Sequence, residues 1–404
     1  MARQLSSLAA ARVLLNTAKS RFVDGEPLPS NLLPAAVARS WERSRACGLK
    51  PSHAPVYEGG GVVARGAWES RADRQLYRCV SDEIEQLWNA FGGIEWTIFC
   101  VNTAGRVIHA RRSPYCEDTR LTPIVAGTQV TESHIGTTAP SCVIHDGAET
   151  IVDGSQHYLE DFAQIFCLAV PLYGIDGEIV GALDITGTGR RNVVQLREQF
   201  RYASLSAEQR LFSSVRDCHL LHLQHDPRWF GTPLSGLVAV EESGRVRAAT
   251  RRARQMLGIG QAMPLSTSLH VRELFPEATP AQERRLLQPQ RNAQRIARAD
   301  GSHIWVQYAR APVDSSVTRR SQSPTVVAAP LRTTAVTASS HDGMHDGAGL
   351  RERELYAILR VLDEHRGNVA ATARQLGVSR TTVYAKLRQL KQAGMAAPDW
   401  MSKT

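Results

Sequence analysis

The stretch NVAATARQLGVSRTTVYAKLRQL, residues 368–390, decides how the chain is read. Asn368 is a good N-cap for a helix that follows it. Ala373 is small where two helices must approach closely. Gly377 stands where a tight turn calls for a positive φ. Val378 plugs the core between the helices, and Ser379 caps the second one. Val383, Leu387 and Leu390 then face inward, leaving Arg380, Thr381, Tyr384, Lys386 and Arg388 outward. Just upstream, Leu355, Ile358, Leu359 and Leu362 make one apolar helical face that Gly367 ends. The pattern predicts a helix-turn-helix. In such a unit the first side chains of the second helix reach base edges, and flanking basic and hydroxyl groups hold phosphate. The plainer reading is a helical hairpin with a basic solvent face. The coincidence of small-residue, glycine and cap positions with positive charge weighs against it.

The charge distribution points the same way. The chain has 404 residues and a net charge of +9. Residues 351–404 hold ten Lys/Arg against five Asp/Glu, so this last eighth carries +5 and the 350 residues before it only +4. That is the footprint of a small nucleic-acid-binding tail on a nearly balanced body.

Lysine usage excludes a class of function. The five lysines are Lys19, Lys50, Lys386, Lys391 and Lys403, with none between 51 and 385. A phosphate-binding loop of the GxxxxGKS/T type needs its lysine at the phosphates, so no such ATPase motor fits in the body. The seven cysteines are widely spaced and form no CxxC, which argues against both a disulfide framework and a zinc finger. No apolar run approaches the roughly 20 residues of a membrane helix. The N-terminal apolar patch is broken by Arg12 and lacks a cleavage site, so a cytoplasmic protein with no membrane partner is expected.

Helices are predicted over 4–22, from near Ser30 or Pro34 to Gly48, and over 68–91, where Leu76, Val80, Ile84, Leu87 and Phe91 repeat at helical spacing. EWTIFCVN and RVIHARR, joined at Thr103-Ala104-Gly105, read as a hairpin. FCLAVPLYG and EIVGALDITG, joined at Asp176-Gly177, read as a second. Between them lies a segment dense in Gly, Thr and His. Over 192–225, Leu211, Val215, Cys218, His222 and His225 alternate by four and three, which reads as one connecting helix with a heptad-like dimer seam. LSGLVAVEESGRVRAAT is strand, turn, strand; RRARQMLG is a helix; ADGSHIWVQYARAP is a closing strand. Residues 313–348, rich in Ser, Thr, Ala, Pro and Gly, read as a flexible linker.

The C-terminal segment closely resembles the Fis-type helix-turn-helix that ends bacterial enhancer-binding activators. The resemblance implies that Ser379, Arg380 and Tyr384 face bases and that Thr382, Lys386 and Arg388 hold phosphate, with Thr381 outward beside them. The family often has a basic residue where this chain has Tyr384.

RSWERSRACGLKP (39–51), GTQVTESHIGTTAPSC (127–142), GSQHYLED (154–161) and CLAVPLYGIDGEIVGALDITG (167–187) resemble the N-terminal part of acetoin-catabolism-regulator-like activators, which contains a GAF domain. Residues 232–312 resemble a PAS domain. The expected fold is α+β and multidomain: an N-terminal helical region (1–68), a GAF-like sensor (69–191), a connecting helix (192–231), a PAS-like domain (232–312), a linker (313–348) and an all-α Fis-type module (349–394). Activators of this kind carry a central ATPase that remodels the sigma-54 polymerase, and here it is missing. The resemblance therefore implies a dimeric bacterial regulator that binds double-stranded DNA and a small-molecule effector. It would act on another form of RNA polymerase or through a partner activator, without enzymatic activity or cofactor. Glu132, His134, Thr137, Thr138, His157 and Tyr158 are the candidate effector-binding residues, because a pocket wants a few convergent polar groups in an apolar box. The plainer reading of each is a helix cap or a histidine bonded to a backbone carbonyl.

Three further patterns each carry two readings. Cys218 and His222 at i, i+4, with His219 and His225, have metal-ligand spacing on a helix, against a helix surface or seam. Cys116, Cys142 and Cys167 raise a GAF-type redox enzyme, but no His/Asp pattern supports an activated thiolate. Arg251, Arg252 and Arg254 read as a solvated helix face. A DNA-binding protein of mainly architectural role is the alternative to sequence-specific regulation.

Overall fold

The computed structural model describes residues 2–59, 70–189, 191–260, 265, 269–289, 292–312, 369 and 373, with side chains of the first helix from Arg12 onward. The chain divides into two units, Met1–Ser323 and Pro324–Thr404.

The first unit is built on two antiparallel sheets. The first comprises β1 (Trp96–Asn102), β2 (Val107–Arg112), β3 (Thr150–Asp153), β4 (Ile165–Tyr173) and β5 (Ile179–Thr188), in the order β2-β1-β5-β4-β3. Both predicted hairpins are present. The strands read as continuous apolar runs because both faces of this sheet are covered. Side chains alternate along each strand. Ile98, Cys100, Leu168, Val170, Leu183 and Ile185 face one side, where helices α3 (Arg71–Phe91) and α6 (Val193–Phe212) pack. Phe99, Val101, Cys167, Ala169 and Ala182 face the other. That side is covered by α1 (Ala2–Val23), α2 (Ala35–Ala46), the four-residue α4 (Glu132–Ile135) and α5 (Ala139–Asp146). The key of this cover is Trp41, which has no exposed surface; Phe22, Val37 and Tyr158 pack in the same cluster. Removing a fully buried ring of this size costs about 3–5 kcal/mol.

The second sheet comprises β6 (His219–Gln224), β7 (Gly236–Val240), β8 (Val246–Ala249), β9 (Gln294–Ala297) and β10 (His303–Arg310), in the order β8-β7-β6-β10-β9. One face carries α7 (Arg251–Leu257), α8 (Val271–Leu274) and α9 (Pro280–Leu286). The other meets Phe212 and Ile175 from the first half of the unit. Gly258 ends α7 at φ +71°, the left-handed position that favours glycine.

The predicted connecting helix over 192–231 is corrected. Helix α6 stops at Phe212, and 219–224 is a strand at the centre of the second sheet, paired with β7 and β10. There is therefore no helical seam through Cys218, His222 and His225. A second-domain boundary at 232 would cut a central strand away. Likewise, α6 packs against α3 and β4, so the first layer does not end at 191. The linker 313–348 lies outside the described residues. In the second unit Val369 and Ala373 are helical, and Ala373 is buried.

Candidate functional site

Ser379, Arg380, Thr381, Thr382, Tyr384, Lys386 and Arg388 lie outside the described residues. The geometry available is that of the first sheet's covered face, where the six candidate effector residues fall.

A cavity of about 30 Å³ lies there, room for about two water molecules. Its walls are mostly apolar: Phe99, Leu121, Ile124, Ile135, Phe162 and Ile165. The polar groups on it are Tyr57, Arg120, Thr138, His157, Cys167 and Thr186. Of the six predicted residues, Thr138 and His157 line it. Thr138 also caps α5, accepting from the Ser141 N–H at 3.4 Å.

The other four hold the cover in place. Glu132 is buried, accepting from Arg43 Nε at 2.6 Å, Arg43 Nη2 at 2.8 Å and Ser40 Oγ at 2.5 Å. Thr137 Oγ1 lies 2.9 Å from Ser40 Oγ. Tyr158 donates to the Leu49 carbonyl at 3.1 Å and meets Trp41 edge-on. His134 lies 3.0 Å from Thr131 Oγ1 and 3.3 Å from Glu58. Glu132, Thr137 and Tyr158 bind α2 to the segment carrying the cavity rim, and His134 ties that segment to Glu58. Trp41 Nε1 adds a bond to the Gln156 carbonyl at 2.7 Å.

His157 connects the cavity with the N-terminal helix. Its backbone carbonyl accepts from buried Lys19 Nζ at 2.5 Å. Burial lowers that ammonium pKa to about 8. The His157 ring is itself buried, which lowers its pKa to about 4 and keeps it neutral at pH 7. Nδ1 lies 3.0 Å from the Gly154 carbonyl, so Nδ1 carries the proton and Nε2 is left as the acceptor. Cys167 Sγ, 3.2 Å from Nε2, then donates to it. Thr186 Oγ1 is 3.1 Å from that sulfur and 2.5 Å from Asp184 Oδ1. Burial pushes the Asp184 carboxyl well above the usual carboxylate range, against the hydrogen bond it accepts from Thr186. Thr186 Oγ1 thus lies between two acceptors, Asp184 Oδ1 and Cys167 Sγ, and Cys167 leads on to His157 and the Gly154 carbonyl. Sequence reasoning missed this stripe. An aspartate inside the otherwise apolar GALDITG was the available signal, since a strand buried on both faces must satisfy it internally.

The cysteines here are thiols. Burial pushes Cys142 up to about 12 and Cys167 well above its ordinary value. The Cys–His contact in the cavity therefore lacks the depressed pKa that marks a nucleophile. Cys218 stands just before β6 and His222 within it, so the helix-face reasoning for a metal does not apply. Among the described residues no group of three His, Cys, Asp or Glu side chains is placed to hold a metal ion.

Arg251, Arg252 and Arg254 also require correction. Arg254 is fully buried and donates to the carbonyls of Ala249 (3.3 Å), Gly260 (3.3 Å) and Asp176 (3.1 Å). Arg251 pairs with buried Glu208 at 3.1 Å and lies over the Tyr173 ring. Burial lowers the Arg252 pKa. Arg251 and Arg254 fasten α7 of the second sheet to the β4–β5 turn and α6 of the first. Among the described residues no helix is long and apolar enough to cross a membrane.

Comparison with known proteins adds the following. Residues 349–390 match the model for bacterial regulatory proteins of the Fis family. An uncharacterized 47.3 kDa protein in the thcA 5′ region of Rhodococcus erythropolis is 26% identical over 209 residues, 49% of this chain and 46% of that protein. The acetoin dehydrogenase operon transcriptional activator AcoR of Bacillus subtilis is 23% identical over 169 residues, 41% of this chain and 27% of the activator. The chain thus spans less than half the length of the curated relatives it matches. The N-terminal part of Escherichia coli DhaR, solved with DhaL, superposes with a TM-score of 0.40 at 15% identity, covering 68% of this chain and all of that one. The chain ends in a Fis-type helix-turn-helix of bacterial regulatory proteins and is similar, over about two fifths of its length, to an acetoin-operon activator.

Proposed function

We propose that this chain is a sequence-specific DNA-binding transcription regulator whose two-sheet body senses a small effector. The observation that carries the reading is the Fis-family segment at 349–390, coincident with the charge excess of the tail. Arg380, with Ser379 and Tyr384, reads bases. Lys386, Thr382 and Arg388 hold phosphate, with Thr381 alongside. The body is GAF-like in its first sheet and PAS-like in its second, and two copies read an inverted repeat with half-sites one turn apart. The effector enters the cavity lined by Thr138, His157, Tyr57, Arg120, Cys167 and Thr186, displacing its water and part of the loop over 113–131. Glu132, His134, Thr137 and Tyr158 frame it. The protein is cytoplasmic and not an enzyme. With no phosphate-loop lysine between residues 51 and 385, it acts on a polymerase form other than sigma-54 or through a partner activator.

The test is a binding series on operator fragments selected from genomic DNA. Arg380→Ala is expected to cost about 1–3 kcal/mol and to relax sequence preference, as loss of a bidentate base contact does. Lys386→Ala should weaken all sequences alike and reduce the salt slope by about one. Unchanged operator affinity and preference in Arg380→Ala would overturn the placement of the reading helix. Equal affinity for all duplexes at fixed salt would make the protein architectural instead.

A further inference from the structure

Away from the covered face, the opposite side of the first unit carries a concave groove of about 510 Å³ between the start of α3 and the end of α6. Five arginines line it: Arg71, Arg74, Arg78, Arg210 and Arg216. Arg71, Arg74 and Arg78 recur at i, i+3 and i+7, so they share one face of α3. Among the described residues no carboxylate lines the groove. Arg210 is neutralised from outside it by Asp82 at 3.1 Å and Glu83 at 2.9 Å. Arg71, Arg78 and Arg216 have no ion pair among the described residues.

The wall is preorganised. Gln75 Nε2 donates to Ser214 Oγ at 2.7 Å, tying α3 to the segment after α6. A sixth arginine, Arg310 at the end of β10, donates to the carbonyls of Ser213 and Val215. These bonds fix the backbone leading to Arg216. Burial first, and then the nearby Arg216, lowers the Arg310 pKa. The guanidinium groups of Arg71, Arg78 and Arg216 repel one another, and an anion that accepts forked N–H bonds relieves that repulsion.

We propose that this groove binds a compact, multiply charged phosphate ligand: an oligophosphate, free or as the tail of a nucleotide. Three features select that class. The groove has the volume of a small-molecule site. Its charge is concentrated over two turns of helix. Among the described residues no aromatic ring lines it on which a base would stack, so charge density is what it reads. The proposal is independent of the tail's role in binding DNA.

The test uses the full-length chain and inorganic triphosphate, titrated calorimetrically at fixed ionic strength. One site per chain is expected. Arg78→Gln with Arg216→Gln should weaken it at least tenfold. Arg197→Gln with Arg201→Gln should leave it unchanged: that pair removes equal charge from α6 at the arginines held by Glu149. Arg78→Lys with Arg216→Lys keeps the charge, loses the fork, and should weaken binding only a few-fold. It also serves should the glutamine pair unfold. The proposal is overturned if triphosphate does not bind, if both glutamine pairs weaken it equally, or if the groove pair alters affinity for duplex DNA alone.

Discussion

Arg43 and Glu132 provide the sharpest test of how the cover is held. Arg43→Met deprives a carboxylate that is only 6% exposed of two charge-assisted bonds and leaves it Ser40, with the His145 ring 3.8 Å away. Breaking a buried ion pair in this way costs about 3–5 kcal/mol. The Arg43 side chain is 28% exposed, so water can approach from its side, and the lower end, about 3 kcal/mol, is expected. Glu132→Gln keeps an acceptor for Ser40 and strands only the partly exposed cation, at about 2 kcal/mol. The double variant leaves neither charge unpaired. Its cost should be about 3 kcal/mol rather than the 5 that independent sites would give, a coupling of about 2 kcal/mol. Urea unfolding followed by tryptophan fluorescence and far-UV circular dichroism measures all three variants. A coupling below about 0.5 kcal/mol, the level seen for distant sites, refutes the clamp. An unchanged stability with a lost effector response would instead return Glu132 to the ligand.

Three other outcomes follow from the geometry. His157, folded pKa about 4 against an ordinary 6.5, contributes stability that is full above pH 6.5 and lost as the pH falls towards 4, about 3 kcal/mol. The stability gap between wild type and His157→Gln should therefore narrow by that amount in urea melts between pH 7 and pH 4. Glu208, pushed up to about 7, acts oppositely, losing stability as pH rises through 7, but is common to both proteins and cancels. Gly177→Ala places a methyl 2.8 Å from Arg254 Cζ at φ +84°, and should destabilise by about 2 kcal/mol or more; in an Arg254→Met background about half of that should vanish, and an undiminished cost would show that the contact is not the cause. Iodoacetamide at pH 8 should label Cys47, the one exposed cysteine, and spare Cys142 and Cys167 until denaturant is added; mass spectrometry showing early labelling of Cys167 would contradict its closed environment.

The hairpins were legible because apolar runs ended at glycine turns: Gly105, Gly177 and Gly244 all take positive φ. Strand β6 was not. The spacing of Cys218 and His222 is four, which fits one side of a helix, but α6 ends at Phe212 and Cys218 precedes the strand that holds His222. Arg254 was misread because its partner carbonyl, Asp176, lies 78 residues away. A long cation on a short helix looks solvated until the surface it reaches across is known. In the cavity, Thr138 and His157 stood out by their density of polar neighbours. Tyr57 and Arg120 come from irregular segments without periodicity and offered no such signal.

The size of the cavity limits what an effector can do there. A ligand shifts a two-state protein only by its difference in affinity for the two states, and moving the balance from 1:99 to 99:1 takes about 5.5 kcal/mol. Tiny ligands gain at most about 1.5 kcal/mol per heavy atom. An effector of about five heavy atoms thus has about 7 kcal/mol in all, and opening the loop over 113–131 consumes part of it. Such an effector can throw only a switch already near balance. The contacts at His157 suit that requirement. Its ring lines the cavity while its carbonyl takes the bond from Lys19, so a displacement of the ring is felt at the N-terminal helix through one buried hydrogen bond. That ammonium, its pKa lowered to about 8, is weakly held as a charge, so changing its single carbonyl contact changes the cost of burying it. Lys19→Met should therefore uncouple α1 from the cavity: hydrogen exchange in α1 should cease to respond to effector while affinity for the effector persists, and an unchanged response would place the signal path elsewhere.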